Sequence, residues 1–273
     1  MFPILSNKSN SMSTLNTQKI LLLRDCYGEQ VDVEVVAETG STNADLMARL
    51  GSLQAPLLRL AEHQTAGRGR AGRVWHSVAG GVLTFSLAWH FPQAGQELLG
   101  LPLAVGVALA ETLLALGVPV QLKWPNDILK EQKKLAGTLI ETSSHAESGS
   151  WAVIGIGLNL TVPDALEREI GQAVADAPWL AQMDRNLLVA RLLNALAKAM
   201  EEFIQHGFTA FVERWNRLHA YTGQAVLVLD RGQVLHEGLA LGVDNTGCLV
   251  LQTAHGRVTV LAGDVSLRPA PSH

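Results

Sequence analysis

The stretch EHQTAGRGRAGRVW, residues 62–75, is the most distinctive part of the chain because it alternates glycine with arginine. Glycine can adopt positive φ and lets a backbone come close to a ligand. Arginine stays charged and offers a planar fork of donors to phosphate or carboxylate. The stretch therefore predicts a loop that wraps a phosphorylated ligand, with a solvated basic loop as the alternative. The residues concerned are Gly67, Arg68, Gly69, Arg70, Gly72 and Arg73.

Two familiar nucleotide-binding motifs do not explain this loop. Residues 67–72 satisfy G-x-G-x-x-G, but the dinucleotide fingerprint has to open a helix. The residues that follow, VWHSVAGGVLTFSLAW, are typical of a loop that enters a strand. No G-x-x-x-x-G-K-[ST] sequence occurs anywhere, so the chain has no Walker A loop. We therefore reject both the Rossmann and the P-loop interpretations.

The composition indicates a globular protein that does not bind long nucleic acid. The chain has 273 residues, 48% hydrophobic and 17% charged, with a formal net charge of −4. Proteins that bind long nucleic acid use many basic side chains to release counterions from the phosphates. A weakly acidic protein lacks this excess of basic charge, so we expect no DNA binding. Cys26 and Cys248 match no metal-ligand spacing, which predicts plain thiols and a cytoplasmic protein. The longest apolar run, residues 98–110, is shorter than the roughly 20 residues that span a bilayer, so no membrane partner is expected.

The order of the predicted elements indicates a sheet covered by helices and followed by a small β domain. β-Branched and apolar runs predict strands at residues 31–38, 57–63, 80–90, 133–143 and 151–160. Apolar spacing of three and four predicts helices at residues 96–116, 185–206 and 208–219. After Tyr221, short strands separated by Asp, Asn and Gly turns predict an SH3-like barrel. We therefore divide the chain into a disordered or loosely attached tail (1–30), a main domain (31–220) and a barrel (221–273).

Two further polar clusters follow predicted strands. Ser41, Thr42 and Asn43 stand at the start of a helix, where they could serve as an N-cap, as ligand contacts, or as both. The segment KWPND, residues 123–127, has the residues of a polar turn. The end of an apolar strand is also where an α/β site places its polar groups, so this turn is a second candidate for ligand binding.

Taken together, five motifs resemble those of the biotin protein ligases in both order and spacing: STN at residue 41, QTAGRGRAGRVW at 64, KWPND at 123, KKLAG at 133 and GIGLN at 155. The resemblance runs from about Val33 to about Arg268. It implies an α+β fold, with a mixed-sheet catalytic domain of the class II aminoacyl-tRNA synthetase/biotin ligase type and the small C-terminal SH3-like barrel. The short polar N-terminus is similar to that of single-function members, which lack the winged helix-turn-helix of the repressor ligases.

The resemblance also implies an activity and a set of site residues. Such an enzyme forms biotinyl-5′-AMP from biotin and ATP, with Mg²⁺, and passes biotin to a lysine of a biotin carboxyl carrier domain. The chemistry agrees, because joining two anions requires positive charge and positioning more than a protein nucleophile. The implied biotin contacts are Ser41, Thr42, Asn43, Gln64, Arg68, Gly69, Arg70 and Lys134. The implied nucleotide contacts are Arg73, Trp75 (near adenine), Lys123, Asn126 and Asn159. The implied catalytic groups are Lys134, Arg70 and Asp127, the last to orient or deprotonate the acceptor lysine, and no protein metal ligands are assigned.

Two alternatives remain open at this point. A lipoate or octanoate ligase or transferase would share the catalytic fold, but the Arg-Arg, Gly-Gly-Gly and His-Asp pattern of those families is not found. A noncatalytic module that uses the barrel for interactions is the alternative from a different class. The presence of Lys134 beside the complete arginine loop argues against it.

Overall fold

A computed structural model of the chain describes residues 14–92, 98–145, 149–163, 174–263 and 265–270. The main domain has seven strands: β1 (Asp32–Thr39), β2 (Leu57–Gln64), β3 (Val82–Phe91), β4 (Gln121–Lys123), β5 (Asp127–Lys130), β6 (Lys133–His145) and β7 (Gly149–Asn159). They form one mixed sheet in the order β1-β2-β3-β7-β6-β5-β4. β1 and β2 run parallel and the other neighbours run antiparallel. This confirms the expected mixed-sheet α+β fold.

The two faces of the central strands differ in side-chain size, and this difference makes room for a site. Leu83 and Phe85 of β3 belong to the main apolar core. On the alternate positions, Ser86 pairs with Gly155 of β7. Gly157 of β7 in turn pairs with a glycine of β6. Since side chains alternate between the faces of a strand, the face opposite the core carries small residues over the middle of the sheet.

Helices cover the apolar face and flank the open one. They are α1 (Thr17–Leu22), α2 (Thr42–Met47), α3 (Leu101–Ala115), α4 (Pro178–Ala181), α5 (Arg185–His206) and α6 (Val212–Leu218), with 3₁₀ turns at Leu50–Ser52, Arg70–Gly72 and Gly207–Phe211. α3 and α5 pack together within the main core. α2 instead contributes Leu46 to a second, smaller apolar cluster with Ala88 and Val153. α2 therefore lies beside the face that carries the small residues.

The helix predicted at residues 96–116 is shorter than expected and buried along most of its length. It begins at Leu101, after Gly100 with φ 86°, which is a left-handed conformation that ends any preceding helix. Residues 93–97 lie outside the described ranges. The helix predicted at 208–219 is also divided, into the 3₁₀ turn Gly207–Phe211 and α6. Residues 164–173 also lie outside the described ranges.

The C-terminal domain is a five-stranded antiparallel sheet. Its strands are β8 (Ala225–Asp230), β9 (Gln233–Val243), β10 (Leu249–Thr253), β11 (Gly256–Val260) and β12 (Val265–Pro269). The order is β11-β10-β9-β8-β12, and the two outer strands do not pair with each other within the described part of the chain. The sheet is consistent with an open form of the predicted SH3-like barrel. We propose the boundary near residue 221, where helices give way to these short strands.

Side-chain contacts with backbone groups join the two domains. Asn216 of α6 accepts from the backbone N–H of Val243 at 2.8 Å and donates to its carbonyl at 3.2 Å. Gly242 has φ 124°, and a Cβ there would lie 2.4 Å from Asn216 Oδ1, so only glycine fits this contact. The buried Trp124 donates from Nε1 to the carbonyl of Gly247 at 3.1 Å. The C-terminal sheet is therefore held directly against the KWPND turn.

The second half of the predicted tail is not loosely attached. Within the described residues 14–30, α1 packs on α5, and Ile20 is fully buried. The N–H of Leu15 donates to Glu62 Oε1 at 2.8 Å, and Glu62 also pairs with Arg185 at 2.7 Å. The expectation was wrong for this segment because two buried apolar side chains, Leu15 and Ile20, and a few long-range polar partners suffice to hold a short helix. Residues 1–13 lie outside the described ranges.

No helix in the described ranges is long and apolar enough to cross a membrane. Cys26 is exposed, Cys248 is buried, and both are free cysteines.

Acidification is expected to destabilise the fold through His219, which follows α6 at the domain junction. This side chain is 4% exposed and packs against Trp215 with ring centroids 4.6 Å apart. Burial lowers the pKa of His219 from 6.5 to about 4. Below pH 6.5 the unfolded chain binds a proton that the folded chain does not, so stability falls as pH drops towards 4. The loss amounts to about 1.4 kcal/mol per pH unit, or about 3 kcal/mol in total.

Urea unfolding of the wild type and of His219→Leu between pH 7.5 and pH 4.5 measures this effect. The stability difference between the two proteins should change with pH in favour of the variant as the solution becomes acidic. Replacement of the exposed His255 by Gln is the matched control and should leave the wild-type pH dependence intact. Parallel curves for wild type and His219→Leu would contradict the prediction.

Candidate active site

One cavity of about 350 Å³ lies on the small-residue face of the sheet, between the start of α2, the glycine–arginine loop, the KWPND turn and β12. Every site residue expected from the sequence lines it: Ser41, Thr42, Asn43, Gln64, Arg68, Gly69, Arg70, Arg73, Trp75, Lys123, Asn126, Asp127, Lys134 and Asn159. The structure thus brings together residues that are separated by more than a hundred positions. The two ends of the cavity differ in character: one is uncharged and the other is charged.

The uncharged end is built on the N-terminus of α2. Ser41 caps the helix, with its Oγ accepting from the N–H of Ala44 at 3.4 Å. An accepting hydroxyl still has its own proton to donate, so the capping role and a ligand role are compatible. Gln64 Oε1 accepts from the backbone N–H of Thr42 at 2.7 Å. This orientation leaves the Gln64 amide nitrogen as the donor available for another partner.

Asn43 is held by the protein on all sides. Its Nδ2 donates to Glu141 Oε2 at 2.8 Å and to the carbonyl of Leu139 at 3.3 Å, and its Oδ1 accepts from Ser86 Oγ at 2.6 Å. A Cβ at Gly155 would lie 2.2 Å from Asn43 Oδ1, so glycine is needed opposite it. Both amide protons of Asn43 are already used. The geometry therefore favours a structural role for Asn43 beside the ligand over a donor role towards it.

The glycine–arginine loop is folded back on itself. The N–H of Trp75 donates to the carbonyl of Gly67 at 2.9 Å, and the N–H of Gly69 donates to Arg73 at 2.7 Å. Of the three glycines, only Gly72 has positive φ (70°), and Ala71 beside it has φ 52°. Gly67 is needed for space instead, because a Cβ there would lie 2.5 Å from the carbonyl oxygen of Trp75. Positive φ is therefore used at only one of the three glycines, and close packing requires another.

Each arginine of the loop has a defined partner. Arg68 pairs with Glu141 at 3.2 Å. Arg70 donates to Asn126 Oδ1 at 3.0 Å and also to the carbonyls of Gly263 and Val265 in the C-terminal domain. Arg73 donates weakly, at 3.4 Å, to the carbonyl of Arg70. The loop is thereby fastened to the sheet by its first arginine and to both domains by its second.

The charged end of the cavity centres on Asp127. Its Oδ1 lies 2.6 Å from Lys134 Nζ, and its Oδ2 lies 3.4 Å from Lys123 Nζ. Burial opposes ionisation of Asp127, but the charges of both lysines outweigh it and hold its pKa below the ordinary value. Burial, with added repulsion from Arg268 and Lys134, lowers the pKa of Lys123 although Asp127 opposes this. One carboxylate therefore holds two lysines at the place where an anion would bind.

Trp75 lies flat over the glycines of the open face. A Cβ at Gly157 would lie 2.1 Å from Trp75 Cε2, and one at Gly137 would lie 3.4 Å from the same ring. Lys134 Nζ is 5.5 Å from the ring centroid, within cation–π range. The buried Nε1 of Trp75 has no hydrogen-bond partner among the described residues. A buried donor of this kind beside a cavity points to a ligand or a water as its partner.

Asn126 and Asn159 line the cavity but use their amide protons for the protein. Asn126 Nδ2 donates to the carbonyl of Thr138 at 2.6 Å. Asn159 Nδ2 donates to the carbonyls of Ala175 at 3.1 Å and Lys134 at 3.4 Å. Both side chains therefore position the backbone of the lysine-bearing strand and its neighbours.

Four cavity-side residues were missed by sequence reasoning. Thr138 and Ser86 line the cavity from β6 and β3, and Thr138 Oγ1 has no partner among the described residues. Arg268 reaches it from β12. Glu141 contacts Asn43 and Arg68. The only sequence signal for Thr138 and Glu141 was their position shortly after KKLAG on the same strand, and none marked Arg268, which lies in a different domain.

Comparisons with known proteins agree with this architecture. Residues 34–159 match the biotin/lipoate A/B protein ligase family, and residues 221–268 match the biotin protein ligase C-terminal domain. The chain is 35% identical to the biotin--[acetyl-CoA-carboxylase] ligase of Mycobacterium tuberculosis, over 85% of this chain and 88% of that protein. It is 34% identical to the bifunctional ligase/repressor BirA of Escherichia coli, over 87% of this chain and 74% of that protein.

A solved structure gives the same result. The biotin protein ligase from Aquifex aeolicus in complex with biotin and ATP superimposes with a TM-score of 0.72 at 28% identity, covering 87% of this chain and 99% of that one. The chain therefore belongs to the biotin/lipoate A/B protein ligase family and, within it, to the biotin protein ligases.

Proposed function

We propose that this protein joins biotin to ATP to form biotinyl-5′-AMP and then transfers biotin to a lysine of a biotin carboxyl carrier domain in the cytoplasm. In the first step a carboxylate oxygen of biotin attacks the α-phosphorus and pyrophosphate leaves. In the second, the lysine nitrogen attacks the acyl carbon, AMP leaves with the bonding electrons, and the amine loses a proton. The observation that carries the proposal is a single cavity with an uncharged hydrogen-bonding end and a cationic end.

The uncharged end suits the ureido head of biotin. A ureido group presents one carbonyl oxygen and two N–H groups, so it needs both donors and acceptors. Ser41 can donate its hydroxyl proton, and Gln64 can donate from its amide nitrogen, because its oxygen already accepts from Thr42. The Thr42 hydroxyl adds lone pairs that can accept. Asn43 donates both amide protons to the protein, so its role is to position these groups.

The cationic end suits the biotin carboxylate and the α-phosphate, which repel each other in solution. Lys134 lies at this end, 2.6 Å from Asp127, and its ammonium is a point charge that can approach either anion. Arg70, Arg73 and Lys123 surround it, and Arg268 adds charge from the C-terminal domain. Fixed positive groups of this kind stabilise the charge that develops on the phosphoryl oxygens without reorganising in the reaction. Trp75 offers a flat surface and an N–H for the adenine.

The geometry supports a positioning role for Asp127 better than a role as general base. Its pKa is held below the ordinary value by two lysines, which weakens it as a proton acceptor. Its carboxylate instead fixes Lys134 Nζ at 2.6 Å before any ligand arrives. A carboxylate this close to the reacting groups can also receive the incoming ammonium of the carrier lysine by charge attraction.

The described residues do not form a dedicated metal site. They contain no group of three or more His, Cys, Asp or Glu side chains that could hold a metal ion, and Asp127 is occupied by two lysines. Mg²⁺ binds preferentially to phosphate oxygens and water with few protein ligands. We therefore treat Mg²⁺ as part of the ATP substrate and assign it no protein ligands.

The test is incubation of the purified protein with biotin, ATP, Mg²⁺ and an apo carrier domain, followed by intact-mass measurement of the carrier. An ATP-dependent gain of one biotinyl group is expected, with no gain when lipoate replaces biotin. A gain with lipoate alone would move the protein to the lipoate branch of the family. No gain with either acid would favour the noncatalytic binding module.

A further inference from the structure

A continuous chain of hydrogen-bonded side chains runs from Thr42 to the glycine–arginine loop, and the residue before the loop is a carboxylate, Glu141, outside the set of residues assigned above. The order is Thr42, Ser86, Asn43, Glu141 and Arg68. Thr42 Oγ1 lies 2.6 Å from Ser86 Oγ, and the backbone N–H of Thr42 donates to Gln64 Oε1 at 2.7 Å. Ser86 Oγ lies 2.6 Å from Asn43 Oδ1, and Asn43 Nδ2 lies 2.8 Å from Glu141 Oε2. Arg68 completes the chain at 3.2 Å from both oxygens of Glu141.

Counting protons gives this chain one direction. The ionised carboxylate of Glu141 and the carbonyl of Leu139 only accept, so the Asn43 amide must turn its Nδ2 towards them and its Oδ1 towards Ser86. Ser86 then gives its one proton to Asn43. The short contact between the hydroxyls of Ser86 and Thr42, at 2.6 Å, therefore takes the one Thr42 hydroxyl proton, and none is left for Gln64 Oε1 at 3.0 Å.

The direction decides what the head-group end offers to a ligand. With its proton given to Ser86, the Thr42 hydroxyl turns lone pairs outward and acts as an acceptor. Gln64 Oε1 is satisfied by the Thr42 backbone N–H, so the Gln64 amide nitrogen is its outward donor. The carboxylate at the far end of the chain thus determines that the Thr42 hydroxyl presents lone pairs at the near end, while the backbone N–H of Thr42 sets the direction of the Gln64 amide.

The same carboxylate also fastens the loop. Arg68 is 48% exposed, and exposed ion pairs contribute little to stability. A weak, reversible contact is suited to a loop that has to open for ligand entry and product release. Glu141 therefore links the orientation of the head-group donors to the closed position of the loop.

We infer that Glu141 is a positioning residue that orients the hydrogen-bond chain at the head-group end and tethers the loop through Arg68, an inference that rests on the proposed function. Glu141→Gln tests it. The Glu141 carboxylate accepts from both Asn43 and Arg68. A glutamine amide that accepts from one of them through its oxygen turns its NH₂ group, which cannot accept, towards the other. Loss of one hydrogen bond to a charged group should raise KM for biotin by about tenfold. KM for ATP and kcat for adenylate formation should stay within about twofold of wild type.

A double-mutant cycle with Arg68→Gln tests whether the two residues act as one unit. Arg68→Gln should raise KM for biotin by a smaller factor in the Glu141→Gln background than in the wild type. Thr142→Ala, an exposed neighbour on the same strand, is the matched control and should behave as wild type.

Trypsin gives a readout that does not depend on ligation. In ligand-free protein, cleavage in residues 68–73 should be several-fold faster for Glu141→Gln than for wild type or Thr142→Ala, since the tether is lost. An unchanged KM for biotin or unchanged cleavage would overturn the inference, as would a parallel rise in both KM values with a lower Tm. If the wild type fails to ligate biotin, the proposed function fails, and the cleavage comparison alone decides whether Glu141 tethers the loop.

Discussion

Lys134→Ala is expected to slow adenylate formation by about 100- to 1000-fold, the range seen when one preorganised group that stabilises a developing charge is removed. Lys134 lies at the charged end of the cavity, 2.6 Å from Asp127. Without Lys134, less positive charge would offset the repulsion between the biotin carboxylate and the α-phosphate. Pyrophosphate release from biotin and ATP, measured without carrier, isolates this first step.

The fold should survive this substitution. Asp127 keeps Lys123 as a partner at 3.4 Å, so the buried carboxylate is not left without a counter-charge. Lys133→Ala is the matched control. Lys133 is next to Lys134 in the sequence, but its side chain is exposed and does not line the cavity. A Lys134→Ala protein that forms adenylate at the wild-type rate would remove Lys134 from the proposed mechanism.

Gly157→Ala is expected to raise KM for ATP by at least about tenfold and to destabilise the protein by about 1–3 kcal/mol, as overpacking typically does. The added Cβ would lie 2.1 Å from Cε2 and 2.2 Å from Cζ2 of Trp75, so the indole ring must move. The ring is a rigid bicycle, and small side-chain adjustments cannot clear it. Its movement would disturb both the flat surface proposed for adenine and the contact with Lys134.

The partner of the clash can be identified by a double-mutant cycle. In a Trp75→Ala background, Gly157→Ala should cost little further stability, since the atoms it meets are gone. Gly51→Ala is the control, because a Cβ there has no atom within 4 Å. Urea unfolding supplies the stabilities and initial-rate kinetics supply KM for ATP. Additive losses in the cycle would show that the destabilisation does not arise from Trp75.

Sequence reasoning placed most strands to within about two residues, which is the accuracy expected of local patterns. It succeeded where a local property is sufficient, as in the apolar run of β7 and the alternation of glycine and arginine after β2. The residues that it assigned to the site all line one cavity, because five motifs in a fixed order carry the resemblance. It failed at the start of α3, where the left-handed Gly100 delays the helix to Leu101. It also failed at residues 14–30, where burial by distant segments outweighed the local composition.

The sequence by itself determined the family, the order of the elements and the identity of the charged loop, since these depend on residues that are close together in the chain. The tertiary structure alone decided which atoms are paired. The two lysines on Asp127, the glycines beneath Trp75 and the carboxylate of Glu141 behind Asn43 follow from strand register across the sheet. Arg268 approaches Lys123 only because the C-terminal sheet packs on the KWPND turn. Register and domain packing bring together groups far apart in sequence, and no local pattern carries the resulting distances or hydrogen-bond directions.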